Sequence, residues 1–366
     1  MNDKLRTKNH LLKTVLYLLI NVIAVGSSFA QQGKPEQPEH GPGGWGNYKH
    51  ESIEVIGEFA EEADGYWMYL PASPMPDSAD VVVFLHGFAA HNPDLYGAWL
   101  RHLVNQGNIV IYPRYQKRML IPIPFKTYAD NAAKGIRDAL AYLEKEQKVI
   151  PRTENLVYVG HSYGGKIAAY FAIKYKDYGL PKPKAVYPVQ PGVIDFKEAQ
   201  LKDYSDMEED INLLTLVGEK DGIVGDMLAL LIFNTAGARQ KNLILSVRDK
   251  KRKKPKLDVT HAAPCAVDNE FKAFKHSNYI MRIGKRRSET DVVDYYCYWK
   301  LLDALMDCSF YGENCEYAFG NTEQQTFMGL WSDGNPVEPM RVFIDPVYPK
   351  KSERKNKKIG KSVKKK

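Results

Sequence analysis

Leu156-Val-Tyr-Val-Gly160-His161-Ser162-Tyr163-Gly164-Gly165 is an apolar, β-branched run that passes without a spacer into G-x-S-x-G. The segment that follows, Tyr163 to Tyr175, has helical character. Small residues on both sides of Ser162 permit a sharp strand-to-helix turn and a close approach of helix to sheet, and such a turn lifts the serine hydroxyl above the carboxyl end of the strand. G-x-S-x-G alone recurs by chance, so the flanking strand and helix are what give it weight. Ser162 is the candidate nucleophile.

Working outward, Val81 to Leu85, Ile109 to Tyr112, Ala185 to Val189, Leu213 to Val217 and Leu243 to Val247 are further short apolar runs, the pattern of strands buried on both faces. Between them lie segments of helical period: Tyr96 to Gln106, Thr127 to Gln147 and Asp226 to Ala236. In the second of these Ala129, Ala132, Ala133, Ile136, Leu140 and Leu143 form one apolar stripe. Alternation of this kind predicts right-handed crossovers and a parallel sheet with helices on both faces, an α/β class. Ahead of it, Ile53 to Phe59 and Tyr66 to Leu70 flank the turn-like Glu62-Ala-Asp-Gly65 and predict an opening antiparallel pair. A closing helix is expected over Thr290 to Asp307.

Residues 1–30 place Lys4, Arg6, Lys8 and Lys13 before an apolar stretch, Thr14 to Val25, that ends in Ser28-Phe29-Ala30. The run is shorter than the ~20 residues of a spanning helix, so it reads as a signal peptide cleaved near Ala30, with export to periplasm or medium. Residues 31–51, rich in Gly, Pro and Gln, read as a flexible lead-in, residues 52–349 as one domain, and residues 350–366 as a basic disordered tail. That tail holds ten Lys/Arg against Glu353 alone. Taking its +9 and the +3 of the first thirty residues from the formal +7 leaves the body near −5. Such a distribution argues against a nucleic-acid enzyme, while the tail suits contact with an anionic surface. Cys265, Cys297, Cys308 and Cys315 form an even set without C-x-x-C, which favours disulfides over metal. The favoured pairing is Cys308 with Cys315 and Cys265 with Cys297. No spaced His/Asp/Glu cluster suggests a metal, and no cofactor is implied.

A serine needs a base, and in this context the order is serine, acid, histidine. Of nine histidines, only His261 and His276 follow Ser162 and any acid. His261, in Thr260-His-Ala-Ala-Pro264 after the last apolar strand, is the better placed; His276 lies farther on among lysines. Asp221 fits best as the acid, following the strand Leu213 to Val217 and a glycine turn. Glu219 and Asp195 remain alternatives, whereas Asp249 and Asp258 are expected to be solvated. Backbone donors for a developing oxyanion are expected at Tyr163, directly after the nucleophile, and at Phe88 in the loop His86-Gly-Phe88, with His86 bracing that loop.

His86 to Phe88, Gly160 to Gly165, Gly218 to Val224 and the His261 loop resemble secreted α/β-hydrolases of the lipase, esterase and chlorophyllase-like kind. The resemblance extends from Ser52 to Val347. It implies an α/β-hydrolase fold with a mostly parallel sheet of about eight strands, cofactor-free hydrolysis of a small-molecule or lipid-like ester, and a Ser162, Asp221, His261 triad. Amide cleavage on the same triad, and a non-catalytic envelope-binding protein on the same scaffold, are the alternatives. The basic run Arg248 to Lys256 departs from the family pattern. If it borders the site it favours anionic substrates; otherwise it is a solvated loop.

Overall fold

The computed structural model describes residues 33–57, 59–117, 124–192, 201–250, 256–257, 259–268 and 289–347. The proposed signal peptide, the basic tail, Asp195, Asp258, His276 and most of the Arg248 to Lys256 run lie outside the described residues.

Among the described residues the apolar runs, with one short edge segment, form a single sheet of nine strands: β1 (Ser52–Ile56), β2 (Tyr66–Ala72), β3 (Ser78–Leu85), β4 (Ile109–Pro113), β5 (Ile150–His161), β6 (Ala185–Val189), β7 (Asn212–Gly218), β8 (Lys241–Ser246) and β9 (Arg341–Phe343), in the order β1-β2-β4-β3-β5-β6-β7-β8-β9. The six strands from β4 to β8 in that order are parallel. β1 and β2 add antiparallel at one edge and β9 antiparallel at the other. All eight strands read from the sequence are present. The ninth escapes sequence reading because it has only three residues, Arg-Val-Phe, at a half-exposed edge where no apolar run is required.

Helices α1 (Gly97–Asn105), α2 (Phe125–Glu146), α3 (Tyr163–Lys174), α4 (Met227–Thr235) and α5 (Lys300–Tyr311) pack on the sheet, followed by the single turns α6 (Cys315–Ala318) and α7 (Glu323–Thr326). Side chains alternate across a strand, and the core divides accordingly. Val82 and Phe84 of β3 meet Trp99 and Leu103 of α1 and Leu301, Leu302 and Leu305 of α5. Val81, Val83 and Leu85 of the same strand meet Ala132 and Ile136 of α2 and Ile167 and Phe171 of α3. The sheet is therefore covered on both faces, as a doubly wound topology requires. Among the described residues no helix is long and apolar enough to cross a membrane.

One sequence expectation at the C-terminal end holds and two others are corrected. The closing helix expected over Thr290 to Asp307 is present: it begins at Val292, passes through a π-helical segment, Asp294–Trp299, and continues as α5 to Tyr311. Residues 33–50, expected as a flexible lead-in, are strapped to the domain: Lys34 pairs with Asp291 at 2.7 Å, and Gly43 N–H donates to the buried Asp303 carboxylate at 2.7 Å. Gly-rich composition lets this backbone lie close against the helices, since a Cβ at Gly43 would stand 2.2 Å from Tyr295 O. Of the two expected disulfides only Cys308–Cys315 forms, joining α5 to α6. Cys265 and Cys297 are separate buried thiols, the first facing Tyr96 and the second Ser246.

Candidate active site

Ser162 occupies the turn between β5 and α3 with φ 57° and ψ −118°, a left-handed conformation that costs free energy and persists only when its surroundings enforce it. They do so through two glycines. A Cβ at Gly160 would stand 2.2 Å from Gly164 O, and a Cβ at Gly164 would stand 2.0 Å from Leu85 O. The turn is pinned further by Ser162 N–H donating to Val189 O at 3.0 Å and by Gly192 N–H donating to Ser162 O at 3.2 Å.

His261 Nε2 lies 2.9 Å from Ser162 Oγ, and His261 Nδ1 lies 2.7 Å from Asp221 Oδ2. A carboxylate can only accept, so Nδ1 carries the proton and Nε2 presents its lone pair to the serine hydroxyl. The other Asp221 oxygen accepts from Ile223 N–H at 2.9 Å and Val224 N–H at 3.1 Å, which fixes the carboxylate plane. The Asp221 side chain is 1% exposed, so it faces the imidazole away from bulk water. Glu219 points elsewhere: it accepts from Arg248 N–H at 3.1 Å and lies 3.5 Å from Lys250 Nζ. Asp249, expected to be solvated, is instead buried and accepts from Trp331 Nε1–H at 2.9 Å. The Trp331 indole N–H needs an acceptor once it is buried.

The loop His86-Gly87-Phe88 lies beside Ser162, since a Cβ built on Gly87 would stand 3.5 Å from Ser162 Cβ. His86 stands 2.7 Å from both Gly87 O and Arg114 O and stacks on Tyr115 at 3.9 Å between ring centroids. Burial pulls its pKa down to about 3 while the two carbonyl contacts oppose that shift, and the ring braces the loop between Gly87 and Arg114. The turn after it is held by Ala89 N–H donating to Gln116 Oε1 at 2.6 Å and Ala90 N–H donating to Gly87 O at 2.9 Å. Phe88, the other residue expected to supply a donor, brings its ring within 6.3 Å of the ring of Tyr163, the residue after Ser162. Tyr163 is the first residue of α3, where backbone N–H groups lack intrahelical acceptors.

Sequence reasoning missed Gln190 and Gln116, because a glutamine at a strand end or in a loop carries no motif. Gln190 is fully buried and donates from Nε2 to Thr260 O at 3.1 Å, directly before His261. Lys220 N–H donates to Val259 O at 3.3 Å, so consecutive carbonyls of the histidine loop are latched to the ends of β6 and β7. Among the described residues no group of three or more His, Cys, Asp or Glu could hold a metal ion.

A parallel sheet wound on both faces, with a serine on a strained strand-to-helix turn and an acid and a histidine from later loops, has one well-known form. The fold is that of the α/β-hydrolases. The model of the Chlorophyllase family matches residues 46–200, and at this general level the match supports an ester-hydrolase family for the chain. No curated protein matches. The matched stretch contains the His86-Gly87-Phe88 loop, Ser162 and Tyr163 and stops short of Asp221 and His261, which reach the serine from chain beyond it.

Proposed function

We propose that the protein is an exported serine hydrolase that cleaves carboxylic esters through an acyl-enzyme. The observation that carries this reading is the continuous relay from Asp221 through His261 to Ser162 Oγ, with both links at hydrogen-bond distance. Ser162 Oγ attacks the ester carbonyl carbon while its proton passes to His261 Nε2, and the carbonyl electron pair moves onto oxygen. The N–H groups of Phe88 and Tyr163 hold that oxyanion, each such donor contributing roughly 10²–10³ in rate where one has been removed. Asp221 stabilises the imidazolium. His261 then gives its proton to the departing alkoxide, and the reverse proton path activates water to release the acid and regenerate Ser162. Export is supported by the signal-like residues 1–30 and by the Cys308–Cys315 disulfide, which suits an oxidising compartment. The basic tail would hold the enzyme near anionic surfaces.

The test is labelling of the mature protein with a fluorophosphonate, read by peptide mass spectrometry, together with hydrolysis of nitrophenyl esters of increasing chain length and of a matched anilide. Modification at Ser162, ester turnover exceeding anilide turnover and loss of both labelling and turnover in Ser162→Ala are expected. A folded protein that is neither labelled nor active refutes the proposal, and anilide turnover above ester turnover replaces it with an amidase.

A further inference from the structure

Tyr96 ends the short turn that leads into α1, and its side chain is completely buried. Its hydroxyl accepts from Gly87 N–H at 3.1 Å and lies 2.8 Å from His161 Nδ1. An amide N–H can only donate, so the hydroxyl keeps its own proton for a second partner. The Cys265 thiol also faces this hydroxyl, but sulfur is a weak acceptor and leaves the imidazole nitrogen as the stronger partner. Nδ1 of His161 is then the acceptor and Nε2 carries the hydrogen. The His161 ring packs on the ring of His261 with centroids 4.8 Å apart.

We propose that Tyr96 and His161 are positioning residues that form a bridge from the oxyanion loop at Gly87 to the ring face of His261, holding donor loop and base in one geometry around Ser162. The inference rests on the serine-hydrolase reading above for its catalytic consequence but not for the bridge itself. His161 precedes Ser162 in the chain, so its ring is oriented by the same strained turn that presents the nucleophile. Tyr96 comes from the opposite direction, from the chain after the oxyanion loop. The two halves of the site therefore share one buried hydroxyl. Burial, together with the neighbouring His261, keeps His161 well below the ordinary histidine range, so it stays neutral beside a ring that must take up a proton in each turnover.

Two measurements on the full mature protein test this. The first compares Tyr96→Phe, His161→Leu and His161→Asn in nitrophenyl ester hydrolysis, after melting curves have shown each to be folded. Tyr96→Phe removes only the shared hydroxyl, and His161→Leu removes the acceptor. Asparagine can place its side-chain oxygen near the position of Nδ1. Tyr96→Phe and His161→Leu are expected to lower kcat at least about tenfold with KM nearly unchanged, as for a misplaced catalytic group, whereas His161→Asn recovers most of the loss. A Tyr96→Phe enzyme with parental kcat overturns the proposal, as does a His161→Asn enzyme no better than His161→Leu. The second records nitrogen-15 spectra of labelled histidines and needs no activity. His161 is expected as a non-titrating Nε2–H tautomer from about pH 5 to about pH 8, with Nδ1–H admixed in Tyr96→Phe. A parent His161 that carries Nδ1–H overturns the bridge even if ester hydrolysis is confirmed. The expected tautomer in a protein that fails to label at Ser162 upholds the bridge and refutes only the esterase reading.

Discussion

Asp226→Asn is expected to stabilise the protein at neutral pH and to leave it unchanged in acid. The Asp226 side chain sits where the acid loop enters α4, 5% exposed, with Oδ1 lacking any hydrogen-bond partner. Burial raises its pKa to about 6, opposed by its own backbone N–H and reinforced by the charge of Asp221. In the unfolded chain an aspartate ionises near pH ~4. Between that pH and about 6 the folded protein holds a proton that the unfolded chain has released, so stability declines as pH rises through this window. Above it the whole cost is present, roughly 3 kcal/mol for a rise of this size. Asparagine mimics the protonated carboxyl and removes the cost. Urea unfolding of parent and variant across about pH 4 to about pH 8 should give curves that meet at the acid end and separate by up to ~3 kcal/mol at the other. A variant no more stable than the parent at about pH 8, or equally stabilised at both ends, would show that Asp226 is not a buried, destabilising charge.

Asp221→Asn should lower kcat by about 10⁴, because the amide leaves His261 in the wrong tautomer. Glu219→Gln, at a carboxylate that serves Arg248 and Lys250 instead, should stay within a few-fold of the parent; a reversed ranking in nitrophenyl ester kinetics reassigns the acid. Gln190→Leu removes the amide that donates to Thr260 O and is expected to lower kcat roughly tenfold with little change in KM, so an unchanged kcat means that the β6 latch does not position His261. Reduction of Cys308–Cys315, which closes a short loop of sequence separation 7, should cost about 2–3 kcal/mol in urea unfolding. A midpoint insensitive to reductant removes the disulfide from the stabilising contacts.

The parallel core was legible because burial on both faces leaves a strand no choice but an apolar run, as in Val81 to Leu85 and Leu156 to Val159. Where that pressure lapses, so does the signal. The start of β5, Ile150 to Glu154, is mostly polar and exposed or half-buried, yet its first residues pair with Ser78 to Asp80, and β9 is too short to show a period. Ser162 announces itself because a strained turn needs glycines at fixed offsets. Asp221 and His261 were recoverable only from chain order and strand ends, and Glu219 stayed open because two residues of spacing cannot say which carboxylate a loop turns inward. Cys265 and Cys297 show the converse: an even count invites pairing, but each thiol is buried against its own neighbours. Gln190 and Tyr96 had no motif to betray them and His161 stood at a position where the G-x-S-x-G pattern accepts any residue, since their meaning lies in partners 70, 9 and 65 residues away.

The boundary of the family match at residue 200 falls between two kinds of structural demand. Before it, the Ser162 turn and the His86-Gly87-Phe88 loop are fixed by local backbone geometry: Gly164 must lack a side chain because Leu85 O occupies that space. After it, the histidine loop is held by contacts between elements. Gly218 leaves room at the end of β7 for the Gln190 amide and the Val259 carbonyl, each of which would stand 2.4 Å from a Cβ there. Filling that space would push both latches of the loop at once, and His261 with them. Gly218→Ala should therefore act on turnover through residues that never touch substrate, with labelling at Ser162 slowed in proportion to kcat. Full turnover in a folded Gly218→Ala protein would mean that the loop finds its place without the latches.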